Sequence, residues 1–448
     1  MEKSASPNMS MGRLIRLMKT LDREVAKCSR CGICQSVCPL YGVTGDESDV
    51  ARGKLMLLSG LMDAVFEDPK GVRRRLDRCL LCGSCQAVCP RGVKTVEVFL
   101  TARSIIAGYE GLPLLKKLIF RRFLAKPPVF DRAMERAARW QSLVLRKTDK
   151  NLDASCAALA SPLLSQRHMV PLASAPFHKT LPLPTQKTSR PGKRVGFFVG
   201  CLLDKVFPKV AADIVTVLNA HGFDVVIPKD QGCCGIPALA AGDRETFKRL
   251  ALRNLDCFAP DTLDFLVTGC ATCTATIKKF WPEMAASAPP DTSAAVVRLS
   301  EKTYDVTQFL VDVAGVRPAE TDPDIPAGPF VTYHDPCHLR KTLGISAQPR
   351  AVISASGAGK FTEMPDAGAC CGMGGSFNLA HYDLSAAIGQ KKAASIEASG
   401  ADVVATCCPA CMIQLADMLS RNRSKVRVAH VMELYAENMP FPPADGSG

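Results

Sequence analysis

The pattern Cys28-x2-Cys31-x2-Cys34-x3-Cys38-Pro39 constrains this chain more than any other feature, and it recurs as Cys79-x2-Cys82-x2-Cys85-x3-Cys89-Pro90. Three thiolates spaced two residues apart wrap one corner of a [4Fe–4S] cubane, and a fourth is carried onward along the chain. Zinc takes four ligands, usually as two separated pairs, so a triplet spacing used twice argues against it. Pro39 and Pro90 turn the chain away after the last ligand. Gly32 and Gly83 stand between ligands, where a side chain would crowd the sulfides.

In a two-cluster arrangement of this kind the fourth Cys of each run serves the other cluster. On that rule Cys28, Cys31, Cys34 and Cys89 hold one cluster, and Cys79, Cys82, Cys85 and Cys38 hold the other. The crossing requires one compact, mainly helical unit with two closely spaced [4Fe–4S] clusters, expected over residues 1–107. Its opening stretch carries Leu14, Ile15, Leu17, Met18, Leu21 and Val25 at helical spacing.

The formal charge of +13 raises nucleic acid as a partner, but aromatics make up only 6% of the chain. No Lys/Arg block alternates with stacking residues, so no nucleic acid partner is expected. Eight thiolates on two 2+ cores take about four charges off that total. Arg73, Arg74, Arg75 and Arg78 stand where they would partly neutralise a cluster, or simply form a solvated helix face. The 21 cysteines would suggest disulfides in a secreted chain. The opening MEKSASPNMSMGRLIRL has no apolar core of signal-peptide length, and no run of 18 apolar residues exists. A cytoplasmic chain with metal-binding thiols is expected.

Residues 108–192 read as a connector. It begins with the basic amphipathic GLPLLKKLIFRRFL, suited to a core, a partner or a membrane surface. It ends in the linker-like PLPTQKTSRPGKR. Beyond it the chain is duplicated. RVGFFVGC, QGCCG and FLVTGCATC return as GPFVTYHDPC, GACCG and DVVATCCPAC, with equivalent cysteines offset by 136, 137 or 138 residues. Each half alternates β-branched runs with helical stretches, which predicts α/β units with parallel strands and the cysteines at strand ends. The bounds expected are 193–320 and 321–440, giving a mixed α/β chain overall.

Each half spaces its cysteines as Cys, about thirty residues, Cys-Cys-Gly, about thirty-five residues, Cys-x2-Cys. This resembles the cysteine-rich "CCG" domain of heterodisulfide reductase subunits and of the iron–sulfur subunits of glycolate oxidase, lactate utilisation systems and anaerobic glycerol-3-phosphate dehydrogenase. The two sets are Cys201, Cys233, Cys234, Cys270, Cys273 and Cys337, Cys370, Cys371, Cys408, Cys411. With the two-cluster unit in front, and with CGICQSVCPLYGVTGDESDVARGKLMLL, LDRCLLCGSCQAVCPRGV, YHDPCHLRKTLGI and CCGMGGSF, residues 20–435 resemble the glycolate oxidase iron–sulfur subunit family.

The resemblance implies an electron-transfer subunit of a flavin-linked 2-hydroxy-acid dehydrogenase acting on glycolate or D-lactate. FAD would sit on a partner chain, and electrons would leave to a quinone or a membrane electron acceptor at the inner face of the membrane. No catalytic residue is expected here. Members of that family often lack the last Cys of each Cys-x2-Cys; this chain has both, plus Cys407. Complete sets resemble heterodisulfide reductase, where they imply one or two further noncubane [4Fe–4S] clusters and thiol–disulfide chemistry, the alternative reading. Five soft ligands from three loops exceed what zinc needs. His334 and His338 flank Cys337 as tuning or ligating groups or as strand-end hydrogen bonders. Cys156 and Cys257 match no motif and read as ordinary thiols. Gly372-x-Gly374-Gly375 reads as a tight turn and not as a dinucleotide site.

Overall fold

The protein is described by a computed structural model covering residues 11–65, 68–143, 145–147, 155–157, 167–180, 193–318 and 328–439. Most of the PLPTQKTSRPGKR linker lies outside these residues. Two compact units result, and their bounds do not follow the sequence zones. Unit 1 comprises Met1–Ala125, Gly235–Arg249 and Cys370–Lys391, and unit 2 takes Lys126–Cys234, Leu250–Ala369 and Lys392–Gly448. The physical reason is that the segment after each Cys-Cys pair packs with the N-terminal helices and not with its own half.

Unit 1 is helical. Its main helices are α1 (Met11–Ala26), α2 (Ala51–Met62), α3 (Pro69–Asp77) and α4 (Thr95–Glu110). Asp68 caps α3 by accepting from the Lys70 amide, and Pro69 occupies its first turn. Leu55 and Leu58 of α2, Val72 and Leu76 of α3, and Val96, Phe99, Leu100 and Ile106 of α4 are buried. α1 packs along α4, burying Leu21 while Ile15 and Met18 stay exposed. The helix Ile236–Ala240 also packs on α4. After α4 the amphipathic stretch runs as Leu114–Leu118 and a wider turn over Ile119–Leu124. Phe120 and Leu124 are buried there, while Leu114, Leu115, Leu118 and Ile119 face solvent. Among the described residues no single helix is long and apolar enough to cross a membrane; one sharply bent pair, α4 with Leu114–Leu124, passes by length and composition only.

Unit 2 contains the duplication as two four-stranded parallel sheets. The first has β1 (Arg194–Phe197), β2 (Asp224–Val226), β3 (Phe265–Thr268) and β4 (Thr303–Asp305) in the order β2-β1-β3-β4. The second has β5 (Phe330–Tyr333), β6 (Lys360–Phe361), β7 (Val403–Thr406) and β8 (Arg427–His430) in the equivalent order β6-β5-β7-β8. Every pairing in both is parallel, which follows from the helical crossovers between strands. The central strands are mostly apolar, as parallel strands covered on both faces are, with Thr268, Thr332 and Thr406 as buried exceptions. Thr268 pairs with Asp305, and Thr406 with His430, and each of Asp305 and His430 then caps the following helix. A small antiparallel sheet joins Leu145–Lys147, Ser155–Ala157 and His168–Met169. Cys156 lies in its middle strand.

Candidate functional site

In unit 1 the two Cys runs fold identically. Arg30 and Gly32 have φ of 58° and 85°, and Leu81 and Gly83 have φ of 57° and 71°. Alternating left-handed residues curl the backbone so that its amides face inward, a concavity suited to an anion. A branched or bulky residue such as Leu81 enters this region at a cost, which a bound group offsets. The glycines therefore serve backbone conformation as much as clearance. The short helices Ile33–Ser36 and Ser84–Ala87 follow directly.

One cavity is lined by Cys28, Cys31, Cys34 and Cys89, with Cys85 at its wall. A second is lined by Cys38, Cys79, Cys82 and Cys85. They share Ala51, Cys85 and Thr95 as a partition. The first cavity thus offers five thiols and the second four, with Cys85 common to both. Burial pushes the Cys38 thiol up to about 11 and Cys85 higher still. Such thiols lose their protons only to a metal's charge. The donor set, the curled backbone and the raised thiols all fit iron–sulfur clusters.

Two buried cations escaped sequence reasoning. Lys54, 1% exposed, lines the second cavity and donates to the Asp49 carbonyl. It lies inside the apolar run of α2, which is the one signal the sequence offers. Arg103, buried in α4, donates to the carbonyls of Leu76 and Cys79, the latter at 2.8 Å, and through its other nitrogen to Ala240 at 2.8 Å. The basic run is mostly paired: Arg73 with Glu110 at 2.6 Å, Arg75 with Asp46 at 2.8 Å and Arg78 with Asp49 at 2.9 Å.

Cys370 and Cys371 belong to unit 1 and are buried. The Gly372 amide donates to the Cys370 sulfur at 3.4 Å. Gly372, Gly374 and Gly375 all have positive φ, a tight turn as the sequence suggested. A Cβ on Gly374 would lie 3.3 Å from the Leu80 Cα, so this turn rests on the loop between Cys79 and Cys82.

In unit 2 seven cysteines form a chain of neighbouring thiols. Cys201 bonds Cys233, Cys233 bonds Cys234, Cys234 bonds Cys273, and Cys273 bonds Cys270. Cys270 then bonds Cys408, which bonds Cys411. The chain thus runs from one duplicated half into the other. Thiol bonds from Cys270 and Cys411 pull the Cys408 thiol well below its ordinary value. Thr272 reaches Cys408 at 3.6 Å and the His338 ring at 3.0 Å.

The supports are local. Trp281 donates its indole N–H to the Cys234 carbonyl at 3.0 Å. Asn254 donates to the Cys233 carbonyl at 3.1 Å and accepts from the Gly232 amide at 2.8 Å. Gly200 (φ 70°) lets the chain pass the Cys273 sulfur, which a Cβ would approach to 3.2 Å. Cys337 starts the turn His338–Thr342. Cys407 is turned away from the thiol chain; it donates to the Thr307 hydroxyl at 3.8 Å and lies beside Tyr333. Cys257, near the end of the helix Arg244–Phe258, is half-buried.

Residues 24–93 match the 4Fe-4S dicluster domain, and residues 195–278 and 331–416 each match the Cysteine-rich domain. The chain is 29% identical over 431 residues to the probable glycolate oxidase iron-sulfur subunit of Bacillus subtilis (strain 168), covering 92% of this chain and 94% of that protein. It is 30% identical over 240 residues to lactate utilization protein A of Shouchella clausii (strain KSM-K16), covering 54% and 97%. It is 35% identical over 248 residues to one of the subunits of the fumarate reductase (CoM/CoB) of Methanothermobacter marburgensis, covering 54% and 46%. The fold and its cysteines define an iron–sulfur protein that joins a dicluster unit to tandem cysteine-rich domains. Within that class, the chain belongs to the family of the glycolate oxidase iron–sulfur subunit.

Proposed function

We propose that this chain is the electron-transfer subunit of a flavin-linked 2-hydroxy-acid dehydrogenase of the glycolate or D-lactate type. A flavoprotein partner removes two electrons and two protons from the acid, giving the 2-oxo acid. Iron–sulfur clusters, when bound, supply one-electron transfer. Cys28, Cys31, Cys34 and Cys89 would hold one, Cys38, Cys79, Cys82 and Cys85 the other, and the two five-Cys sets would hold further clusters. The names of the Bacillus and Shouchella relatives support the substrate class.

The observation that carries the reading is that the segments following both Cys-Cys pairs meet the Cys79 loop, one directly and one through Arg103. Gly374, three residues past Cys371, lies against Leu80. Arg103 ties the Cys79 carbonyl to Ala240, six residues past Cys234. The Cys79 site therefore adjoins the Cys28 site and also the segments that leave both Cys-Cys pairs, as the middle of a relay. Lys54 and the inward amides offset the negative charge of the bound thiolates there. No acid–base group is needed on this chain. Partner docking at the exposed Leu114–Ile119 stretch, or its contact with the inner face of a membrane, would bring the final acceptor, a quinone or another carrier, within reach.

Anaerobically purified chain should not oxidise glycolate or D-lactate alone, and adding the cognate flavoprotein should restore acceptor reduction. Oxidation by the isolated chain would overturn the relay. A thiol–disulfide role is the second reading, favoured by one observation: the complete Cys sets meet through Cys270 and Cys408. Reduction of a mixed disulfide by the isolated chain would favour it.

A further inference from the structure

The duplication lets one half serve as the control for the other. Phe198 and His334 stand three residues before Cys201 and Cys337. Their amides make the same bond: Phe198 donates to the Val267 carbonyl at 2.9 Å, and His334 to the Ala405 carbonyl at 2.9 Å. Val267 and Ala405 are themselves equivalent positions of β3 and β7. The two side chains thus leave equivalent points of the fold.

Their surroundings differ. Phe198 packs its ring on Phe258 at 5.8 Å and Trp281 at 6.2 Å. His334 is 1% exposed, and neither ring nitrogen has a hydrogen-bond partner. A ring nitrogen lies within 4.8 Å of the Cys411 sulfur. That pair makes no hydrogen bond, yet it suits two donors around one metal ion or one cluster. His338, the other histidine beside Cys337, is already occupied by Thr272 at 3.0 Å. A neutral imidazole offers a lone pair on one ring nitrogen. Burying an imidazole with neither nitrogen paired is unfavourable, and ligation would satisfy one of the two.

We infer that His334 gives a nitrogen ligand to iron in the group held by Cys337, Cys408 and Cys411. The second half's centre is then a mixed nitrogen–sulfur site, while the first half, with Phe198 in place of the histidine, is ligated by sulfur alone. Exchange of thiolate for imidazole raises the potential of an iron–sulfur centre. The second half is therefore the more oxidising end of the duplicated pair, where electrons collect. The inference rests on the proposal that the second set binds iron.

The test uses full-length holoprotein, anaerobically purified with 14N- or 15N-labelled histidine, read by pulsed electron paramagnetic resonance and iron analysis. Iron above the about eight atoms of the two cubanes, with a histidine nitrogen coupling lost in His334→Phe, is the expected result. In His334→Gly, added imidazole should restore the coupling, which guards against a variant that merely misfolds. Excess iron with no histidine coupling, or with one that survives in His334→Phe, overturns the ligand. Iron limited to about eight atoms overturns the underlying proposal for the duplicated half, and the ligand falls with it. The redox titration of His334→Phe should show one centre shifted to lower potential; an unshifted centre speaks against ligation.

Discussion

The guanidinium of Arg103 donates to the main-chain oxygen of Cys79 at 2.8 Å. Through the same group it holds Leu76 and Ala240, so one buried side chain fixes the end of α3, the start of the second Cys run and the segment that follows Cys234.

Replacing Arg103 by Met keeps the stem and removes three charge-assisted bonds. Leaving buried carbonyls unpaired costs roughly 1–3 kcal/mol each. The Arg103→Met chain should melt at lower temperature, and the Cys79-held centre should change its resonance while the Cys28-held centre does not. Equal disturbance of both centres would contradict the placing of Arg103.

The crossed ligand sets make an unusual claim about sequence distance. Cys89→Ser should damage the centre held by Cys28, Cys31 and Cys34, fifty or more residues away, and spare that of Cys79, Cys82 and Cys85. Spectra of the reduced protein decide it. Loss confined to the neighbouring centre would show that each run closes its own cluster.

Gly200→Ala tests the close pass over Cys273. The substitution meets both a positive φ and a sulfur 3.2 Å from the new Cβ. Positive φ alone costs about 1–2 kcal/mol. Iron bound beyond that of the two cubanes should fall, with the dicluster spectrum unchanged. Full iron content in this variant would place Cys273 outside the ligand set.

Buried His430 accepts from the Met432 amide and donates to the Gly269 carbonyl at 2.9 Å. Burial lowers its pKa from 6.5 to about 4. The folded state thus binds fewer protons than the unfolded one between those values. Its contribution is complete above about pH 6.5 and is lost as pH falls toward 4, by about 1.4 kcal/mol per pH unit. The stability gap between wild type and His430→Gln should narrow on acidification from pH 7 to pH 5. A constant gap in denaturant titrations would disprove it.

Much of this could be read in the sequence, because cluster ligation leaves a spacing that nothing else explains. The two Cys runs, the Cys offsets of the duplication and the parallel α/β halves all follow from residue pattern. What escaped depends on partners far apart in the chain. Lys54 and Arg103 look like ordinary members of helices until the carbonyls of Asp49, Cys79 and Ala240 come to meet them. His334 and His338 are indistinguishable as flankers of Cys337, and only Thr272, brought from the other half, separates them. Cys407 beside Cys408 looks like a sixth ligand, yet its strand register sends it toward Thr307 and Tyr333.

Unit 1 is stitched from three stretches of chain, the last ending at Lys391. A ribosome that has released only the first 125 residues has delivered all eight dicluster cysteines but not the segments that Arg103 and Leu80 pack against. Iron delivery to that half-made protein would meet an open, oxygen-exposed site. Maturation is therefore expected late, on a nearly finished polypeptide, and a truncated N-terminal fragment should behave as an iron-poor, protease-sensitive species instead of a small free-standing redox carrier.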